Sequence, residues 1–161
     1  MYPTYNSKFP ELGFYGLPGH SRAPRDILRQ AQDAEALGIG NIMISERADF
    51  KEISALCGAV AGVTNTLYIG TSGTNLNTRH PIVTASMGST LNRLSEGRFA
   101  LGLAKGVKLR WQALNVDFPN FAHERSFVEL MRKLWHGEQV IGHDSPLGQY
   151  PALQLAPYVS E

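Results

Sequence analysis

The sequence predicts an α/β fold built on a parallel sheet. Short apolar runs alternate with amphipathic helical patterns, the turns between them are short, and the second run, Asn41-Ile42-Met43-Ile44-Ser45, is continuously apolar, as expected of a parallel strand covered on both faces. Right-handed crossovers between such strands leave two architectures, an open doubly wound sheet or part of a barrel, and periodicity does not choose between them. The first strand is followed by GLPGHSRAP, which lacks the dinucleotide signature G-x-G-x-x-G, and no P-loop, G-x-S-x-G or H-E-x-x-H motif occurs.

Taken in order, Leu12-Gly13-Phe14-Tyr15-Gly16 is the first strand, and Leu17-Pro18-Gly19-His20 is turn chemistry. Pro24 suits the first turn of a helix in which Ile27, Leu28, Ala31, Ala34 and Leu37 share a face, with Gly38 as its C-terminal cap. After the second strand, a helix is predicted from about Phe50 to Gly62, carrying Ile53, Leu56, Cys57 and Val60. Leu67-Tyr68-Ile69 opens the third strand, and Pro81 starts a helix with Ile82, Val83, Met87, Leu91 and Leu94 that Ser95-Glu96-Gly97 stops. Arg98 to Leu103 reads as the fourth strand. A short helix through Trp111 and Leu114 and a longer one burying Phe127, Leu130, Met131, Leu134 and Trp135 follow, with Gly137 at its end; the tail around HDSPLGQYP reads as a hairpin.

The chain is 161 residues long, 43% hydrophobic and 18% charged, which predicts one domain with a buried core. Fifteen Lys and Arg against fourteen Asp and Glu give a net charge of +1, so neither a nucleic-acid surface nor an acidic-membrane surface is indicated. No apolar run approaches the roughly 18 residues that span a bilayer. MYPTYNSKFPELG lacks a signal core, and a cytoplasmic protein is expected. The single cysteine, Cys57, excludes an internal disulfide and reads as a buried small hydrophobe. His123, His136 and His143 are too scattered for metal-ligand spacing, so no metal is expected.

The stretch LYIGTSGTNLNTRHP, from Leu67 to Pro81, leaves a strand through small polar residues and enters a helix. At the C-terminal end of a parallel strand, such a loop can approach a flat ring closely and offer hydroxyls and amides to it. The alternative is plain turn and capping chemistry by Gly70, Gly73 and the asparagines.

Together with AEALGIGNIMISER, LNRLSEGRFALGLAKG and ELMRKLWHGE, in this order and spacing, that stretch resembles the bacterial luciferase-like monooxygenase superfamily. Within it, the likeness is to oxidoreductases that use the deazaflavin coenzyme F420, and it runs from about Leu12 to about Leu155. Such proteins are TIM-like (β/α)8 barrels of roughly twice this length. The resemblance therefore implies that residues 1–161 form a single partial barrel domain, the first four β-α units plus a small hairpin, lacking the C-terminal half. It also implies hydride transfer between C5 of F420 and a small organic substrate. An FMN-dependent monooxygenase on the same scaffold is one alternative. The other is an inactive half barrel that self-associates or pairs with a missing C-terminal half.

The resemblance carries site residues with it. Glu46 and Arg47 match positions that the family often fills with an acidic residue and a histidine beside the ring and substrate, which makes Glu46 a catalytic candidate. Arginine keeps a pKa above about 12 and cannot act as an acid or base near neutral pH, so anion binding or ring stacking is left for Arg47. A solvated Glu46–Arg47 ion pair is the structural alternative. Ser72-Gly73 matches a non-proline cis peptide behind the coenzyme ring, and Thr71, Ser72, Gly73, Thr74 and Asn75 are the implied coenzyme contacts. Lys105 and Gly106, after Ala104, end the fourth strand at the same rim and are implied contacts too, although Lys105 reads equally as a surface charge. Arg79-His80-Pro81 is expected to start a helix, and His20 is the one imidazole considered for acid-base work.

Overall fold

The structure, a computed structural model, describes residues 7–18 and 22–157. Its elements are β1 (Phe9–Tyr15), α1 (Asp26–Leu37), β2 (Ile39–Ile44), α2 (Ile53–Ala61), β3 (Tyr68–Thr71), β4 (Thr74–Asn75), α3 (Pro81–Leu94), β5 (Phe99–Ala100), β6 (Leu103–Ala104), α4 (Lys108–Ala113), α5 (Phe121–Trp135), β7 (Val140–Ser145) and β8 (Gly148–Leu153). Strands β1, β2, β3 and β5 form one parallel sheet in that order, with β1 and β5 outermost. The chain divides into two compact units. One holds the described residues up to Thr74 with Leu91–Leu103; the other holds Asn75–Thr90 and the described residues from Ala104 onward.

In the first unit, helices α1 and α2 pack on β2 and β3. Helix α1 buries Ile27, Ala31 and Ala34 of the face its spacing predicts, but Leu37, at its last position, is exposed, and the helix ends where Gly38 turns left-handed at φ 79°. Beneath the helices lie Ile42, Ile44 and Ile69, with Ile42 and Ile69 at paired register positions. Helix α2 adds Ile53, Leu56, Cys57 and Val60. Tyr15 and Met43, paired with each other on the other sheet face, are 38% and 41% exposed. The expectation that β2 is covered on both faces is therefore corrected. Side chains alternate across a strand, and only the Ile42/Ile44 set meets a helical layer.

The fourth run also differs from its reading as one strand. Phe99–Ala100 continues the sheet beside β3, but the chain then bends at Leu101-Gly102, because the Gly102 backbone bonds to Thr71 and Thr74.

Residues 64–67, which connect α2 to β3, are held by Glu35 of α1. One carboxylate oxygen accepts the N–H groups of Asn65 (2.8 Å), Thr66 and Leu67 (3.1 Å), and the Thr66 hydroxyl at 2.9 Å. Burial alone raises the Glu35 pKa, but the hydrogen bonds from Thr66, Asn65 and Leu67 outweigh it and leave the pKa below its ordinary 4.5. A carboxylate with a depressed folded-state pKa contributes stability above its unfolded value, and that contribution is lost as pH falls through the folded value. Glu35→Gln is therefore expected to lower the urea midpoint at pH 7 and to flatten its decline below about pH 4.5. Parallel acid limbs for the two proteins would remove the assignment.

The second unit is built on α5. Asn120 caps it by accepting the N–H groups of Ala122 (2.8 Å) and His123 (3.1 Å), while His123 Nδ1 accepts the Asn120 N–H. Phe127, Leu130, Met131 and Leu134 are buried along one side. Trp135 is half-buried, donates its indole N–H to Ala85 at 3.0 Å and lies so close to Gly88 that a Cβ there would meet the ring at 2.7 Å. The tail forms the expected antiparallel hairpin, pairing Val140 with Leu153.

Candidate active site

The ends of the parallel strands in the first unit converge on one rim. At the end of β3, the Thr71 hydroxyl donates to the Gly102 carbonyl at 2.7 Å and accepts the Gly102 N–H at 2.8 Å. Both functions of this hydroxyl are thus used inside the chain, and Thr71 is buried. The next residues run as a backbone cradle. The Ser72 N–H donates to Ile44 and the Thr74 N–H to Gly102, each at 2.7 Å. Between them, the Ser72–Gly73 peptide is cis, in accord with the family resemblance. Ser72 is exposed, whereas Thr74 is fully buried, and its hydroxyl has no hydrogen-bond partner among the described residues. Gly70 gives room on the same strand, since a Cβ there would meet the Met43 sulfur at 2.5 Å.

The ends of β1 and β2 carry more chemistry than their sequence displays. The Tyr15 hydroxyl donates to Ser45 Oγ, a buried hydroxyl just beyond β2. From Arg47 the chain makes a tight turn, with the Arg47 N–H on Lys51 O at 3.0 Å and the Lys51 N–H on Arg47 O at 2.8 Å. A helix read from Phe50 onward starts instead at Ile53, because Glu52 caps it by accepting the Ala55 N–H at 2.8 Å. Lys51 is only 4% exposed. Its ammonium donates to Leu17 O at 2.9 Å and sits 5.5 Å from the centre of the Tyr15 ring. Burial pushes the Lys51 pKa down; Tyr15 acts against this and Arg47 reinforces it.

Glu46 is buried, and its charge is felt at Cys57 on α2. Burial first, then Glu52 and Glu46, push the Cys57 thiol up to about 12. The thiol is therefore inert at neutral pH, in keeping with its reading as a small hydrophobe. The Nε of Arg47 is buried without a hydrogen-bond partner among the described residues. Tyr15, Ser45 and Lys51 escaped the sequence reading. The one signal for Lys51 was its four-residue spacing from Arg47, which a closed turn converts into adjacency.

Asn75, Lys105 and Gly106 belong to the second unit. Asn75 is buried, and the Lys105 ammonium stands 3.7 Å from the centre of the exposed Phe121 ring. Trp111 donates its indole N–H to Lys105 O at 2.6 Å and closes over Gly106, whose φ of +72° favours glycine. His80 starts α3 as expected, with Nδ1 accepting the Ile82 N–H at 3.3 Å and its carbonyl accepting the Val83 N–H at 2.9 Å. His20 lies outside the described residues.

A family model described as luciferase-like monooxygenase matches residues 11–157. The chain belongs to this family. Its relatives include a 5,10-methylenetetrahydromethanopterin reductase from Methanolobus tindarius, 29% identical over 71% of this chain and 35% of that protein. An F420-dependent glucose-6-phosphate dehydrogenase from Kineococcus radiotolerans is 34% identical over 73% of this chain and 39% of its own length. Among solved structures, the coenzyme F420-dependent tetrahydromethanopterin reductase from Methanopyrus kandleri superposes with a TM-score of 0.75 at 23% identity, covering 86% of this chain and 44% of that one. The FMN-bound 3,6-diketocamphane monooxygenase of Pseudomonas putida gives 0.73 at 25% identity over 89% and 43%. The luciferase-like chain thus spans less than half the length of these relatives, and its α/β class and barrel type are those expected from sequence.

Proposed function

We propose that this luciferase-like chain supplies one part of an oxidoreductase that transfers hydride between coenzyme F420 and a small organic substrate. The observation that carries the reading is its similarity to F420-dependent glucose-6-phosphate dehydrogenases, one of them at 34% identity. The strand ends support it through their shape. Gly70, Gly73 and the backbone cradle from Ser72 to Thr74 present little side-chain bulk, and a flat ring system fits such a surface. When bound, a deazaflavin accepts and returns hydride at carbon. Thr71, Ser72, Gly73 and Thr74 are the proposed coenzyme contacts in the first unit, and Asn75, Lys105 and Gly106 those in the second. Thr71 acts by holding the cradle through Gly102. Glu46 and His20 are the proposed acid-base groups, and the Tyr15 hydroxyl, which donates to Ser45 where β1 and β2 end, is proposed beside Glu46 as a third.

The FMN-bound diketocamphane structure favours the second reading, a flavin monooxygenase on the same scaffold. Titrating the chain with F420 and with FMN, followed by coenzyme fluorescence, separates the two. Saturable F420 binding with FMN washing off is expected; retained FMN without F420 binding overturns the proposal. Outer strands β1 and β5 and the exposed Tyr15/Met43 face support self-association or pairing with a second barrel half. Light scattering after size exclusion should then give a mass above one chain, and a monomer would count against pairing.

A further inference from the structure

In the second unit, the loop leading into α3 and the loop leading into α5 are tied together, because Asn77 Nδ2 donates to Asp117 O at 2.7 Å. The turn of the β7–β8 hairpin closes a third side. Its Tyr150 hydroxyl donates to Leu147 O at 3.0 Å, and the Tyr150 ring meets the His80 ring edge-on at 4.9 Å. Between these three pieces lies a cleft of about 230 Å³. Pro81, Pro119, Pro146 and Leu147 give it apolar walls, and Asn77, Arg79, Asp117 and His123 give it polar groups. None of these residues is among the proposed coenzyme contacts. The polar groups both accept and donate. Asn77 Oδ1 is buried without a hydrogen-bond partner among the described residues, and the bond to Asp117 O fixes which end of the amide is the NH2, so this atom is an acceptor. The exposed Asp117 carboxylate is a second acceptor. His123 Nδ1 accepts the Asn120 N–H at 3.3 Å, so the neutral ring carries its proton on Nε2 and donates from there. Arg79 and Asp117 bring opposite charges, which leaves the cleft without a uniform sign to select an anion or a cation. A hydroxyl, which donates and accepts at once, suits the whole set.

We propose that this cleft binds a neutral polyhydroxylated molecule, a single sugar ring or a short polyol, through neighbouring hydroxyls held by Asn77, Asp117 and His123. Each hydroxyl donates to an amide or carboxylate oxygen while accepting an imidazole N–H. The carbon-bound hydrogens of the same molecule lie against the proline walls, the combination of apolar lining and a few placed polar groups that small-molecule sites share. The volume falls below the roughly 300–1,000 Å³ of pockets for drug-sized ligands, which limits the occupant to one ring or a short chain. The bonds from Asn77 to Asp117 and from Tyr150 to Leu147 hold the walls before a ligand arrives, so binding has little ordering of loops to overcome. Such binding requires neither coenzyme nor hydride transfer.

The test titrates the full chain with ribitol and, separately, glucose, following the heat of binding by calorimetry and the His123 ring-proton resonance by NMR. Saturable binding that moves this resonance is expected from at least one of the two. Asp117→Ala should weaken it about tenfold, and Asp117→Asn, which keeps an acceptor without the charge, by less. The Asp117 side chain is exposed and the bond from Asn77 goes to its backbone carbonyl, so both variants should keep the parent urea midpoint. Absence of saturation with both polyols, binding unaltered in Asp117→Ala, or an equal response to tetrahydropyran, which has the ring but no hydroxyl, overturns the site. Saturable binding of inorganic phosphate or of ethylammonium at constant ionic strength, with the polyols inert, would make the cleft a charge site and overturn the polyol assignment. Displacement of ribitol by F420 would give the cleft to the coenzyme and overturn its assignment to a separate ligand.

Discussion

Arg98→Met is expected to lower the stability of the chain by about 3 kcal/mol, read as a fall in the urea midpoint with the slope unchanged. Arg98 precedes β5 and is 8% exposed. It donates from Nη1 to Leu67 O at 2.7 Å and to Thr64 Oγ1 at 3.2 Å, and from Nη2 to Thr64 O at 2.8 Å. Methionine fills part of the volume but strands two buried carbonyls, and each unsatisfied group costs about 1–3 kcal/mol. Burial lowers the Arg98 pKa, with Glu35, Glu96 and Tyr68 acting in the opposite sense, yet a guanidinium stays protonated throughout the working range. The same short connection is held from its N–H side by Glu35. Once either clamp is removed the connection loosens, so Arg98→Met combined with Glu35→Gln should cost less than the sum of the two, by about 0.5–3 kcal/mol. Strict additivity would mean that the two side chains act on independent segments.

What was legible in the sequence and what was not divides along a physical line. Apolar spacing on α1 and α5 reports which face is buried, except that Leu37 at the end of α1 is exposed, and Gly38 after the last periodic residue reports a left-handed cap. The small residues from Thr71 to Thr74 are legible as a strand-end loop with a cis Ser72–Gly73 peptide through family resemblance, since composition alone also allowed a plain turn. Backbone hydrogen bonding is where the reading stops. The run from Arg98 to Leu103 is apolar enough for one strand, and only the diversion of the Gly102 backbone to Thr71 and Thr74 breaks it. Lys51 falls within the helix read from about Phe50, but the Arg47–Lys51 turn takes it out of that helix and brings it beside the Tyr15 ring and into reach of Leu17 O. Arg98 reads in the sequence only as the first residue of the fourth strand, and its three acceptors come from residues more than 30 positions earlier in the chain. Contacts of that range leave no periodic trace in a single sequence.

Gly102→Ala should disrupt the rim more than any other single methyl addition there. A Cβ at Gly102 would stand 2.1 Å from the Thr71 carbonyl oxygen, a backbone atom that cannot rotate away. Relief requires β3 and the bend after β5 to separate, and that movement breaks the paired Thr71–Gly102 bonds at 2.7 and 2.8 Å together with the Thr74 N–H bond to Gly102 O. Overpacking of this kind costs about 1–3 kcal/mol, and the loss of three hydrogen bonds at one locus puts this variant at the upper end or beyond. Gly62→Ala is the control, since a Cβ there would meet its nearest neighbour, the Gly58 carbonyl oxygen, at 3.6 Å and its φ of −74° suits any residue. Both effects of Gly102→Ala should appear together: a lowered urea midpoint, and loss of F420 binding under conditions where circular dichroism still reports a folded chain. Because Thr71 uses its hydroxyl on Gly102 rather than on a ligand, Thr71→Val should weaken coenzyme binding through the same loosening, and less steeply, since it removes two of the three bonds without inserting an atom between the strands. Thr71→Val losing all binding while Gly102→Ala keeps it would instead make the Thr71 hydroxyl a direct coenzyme ligand.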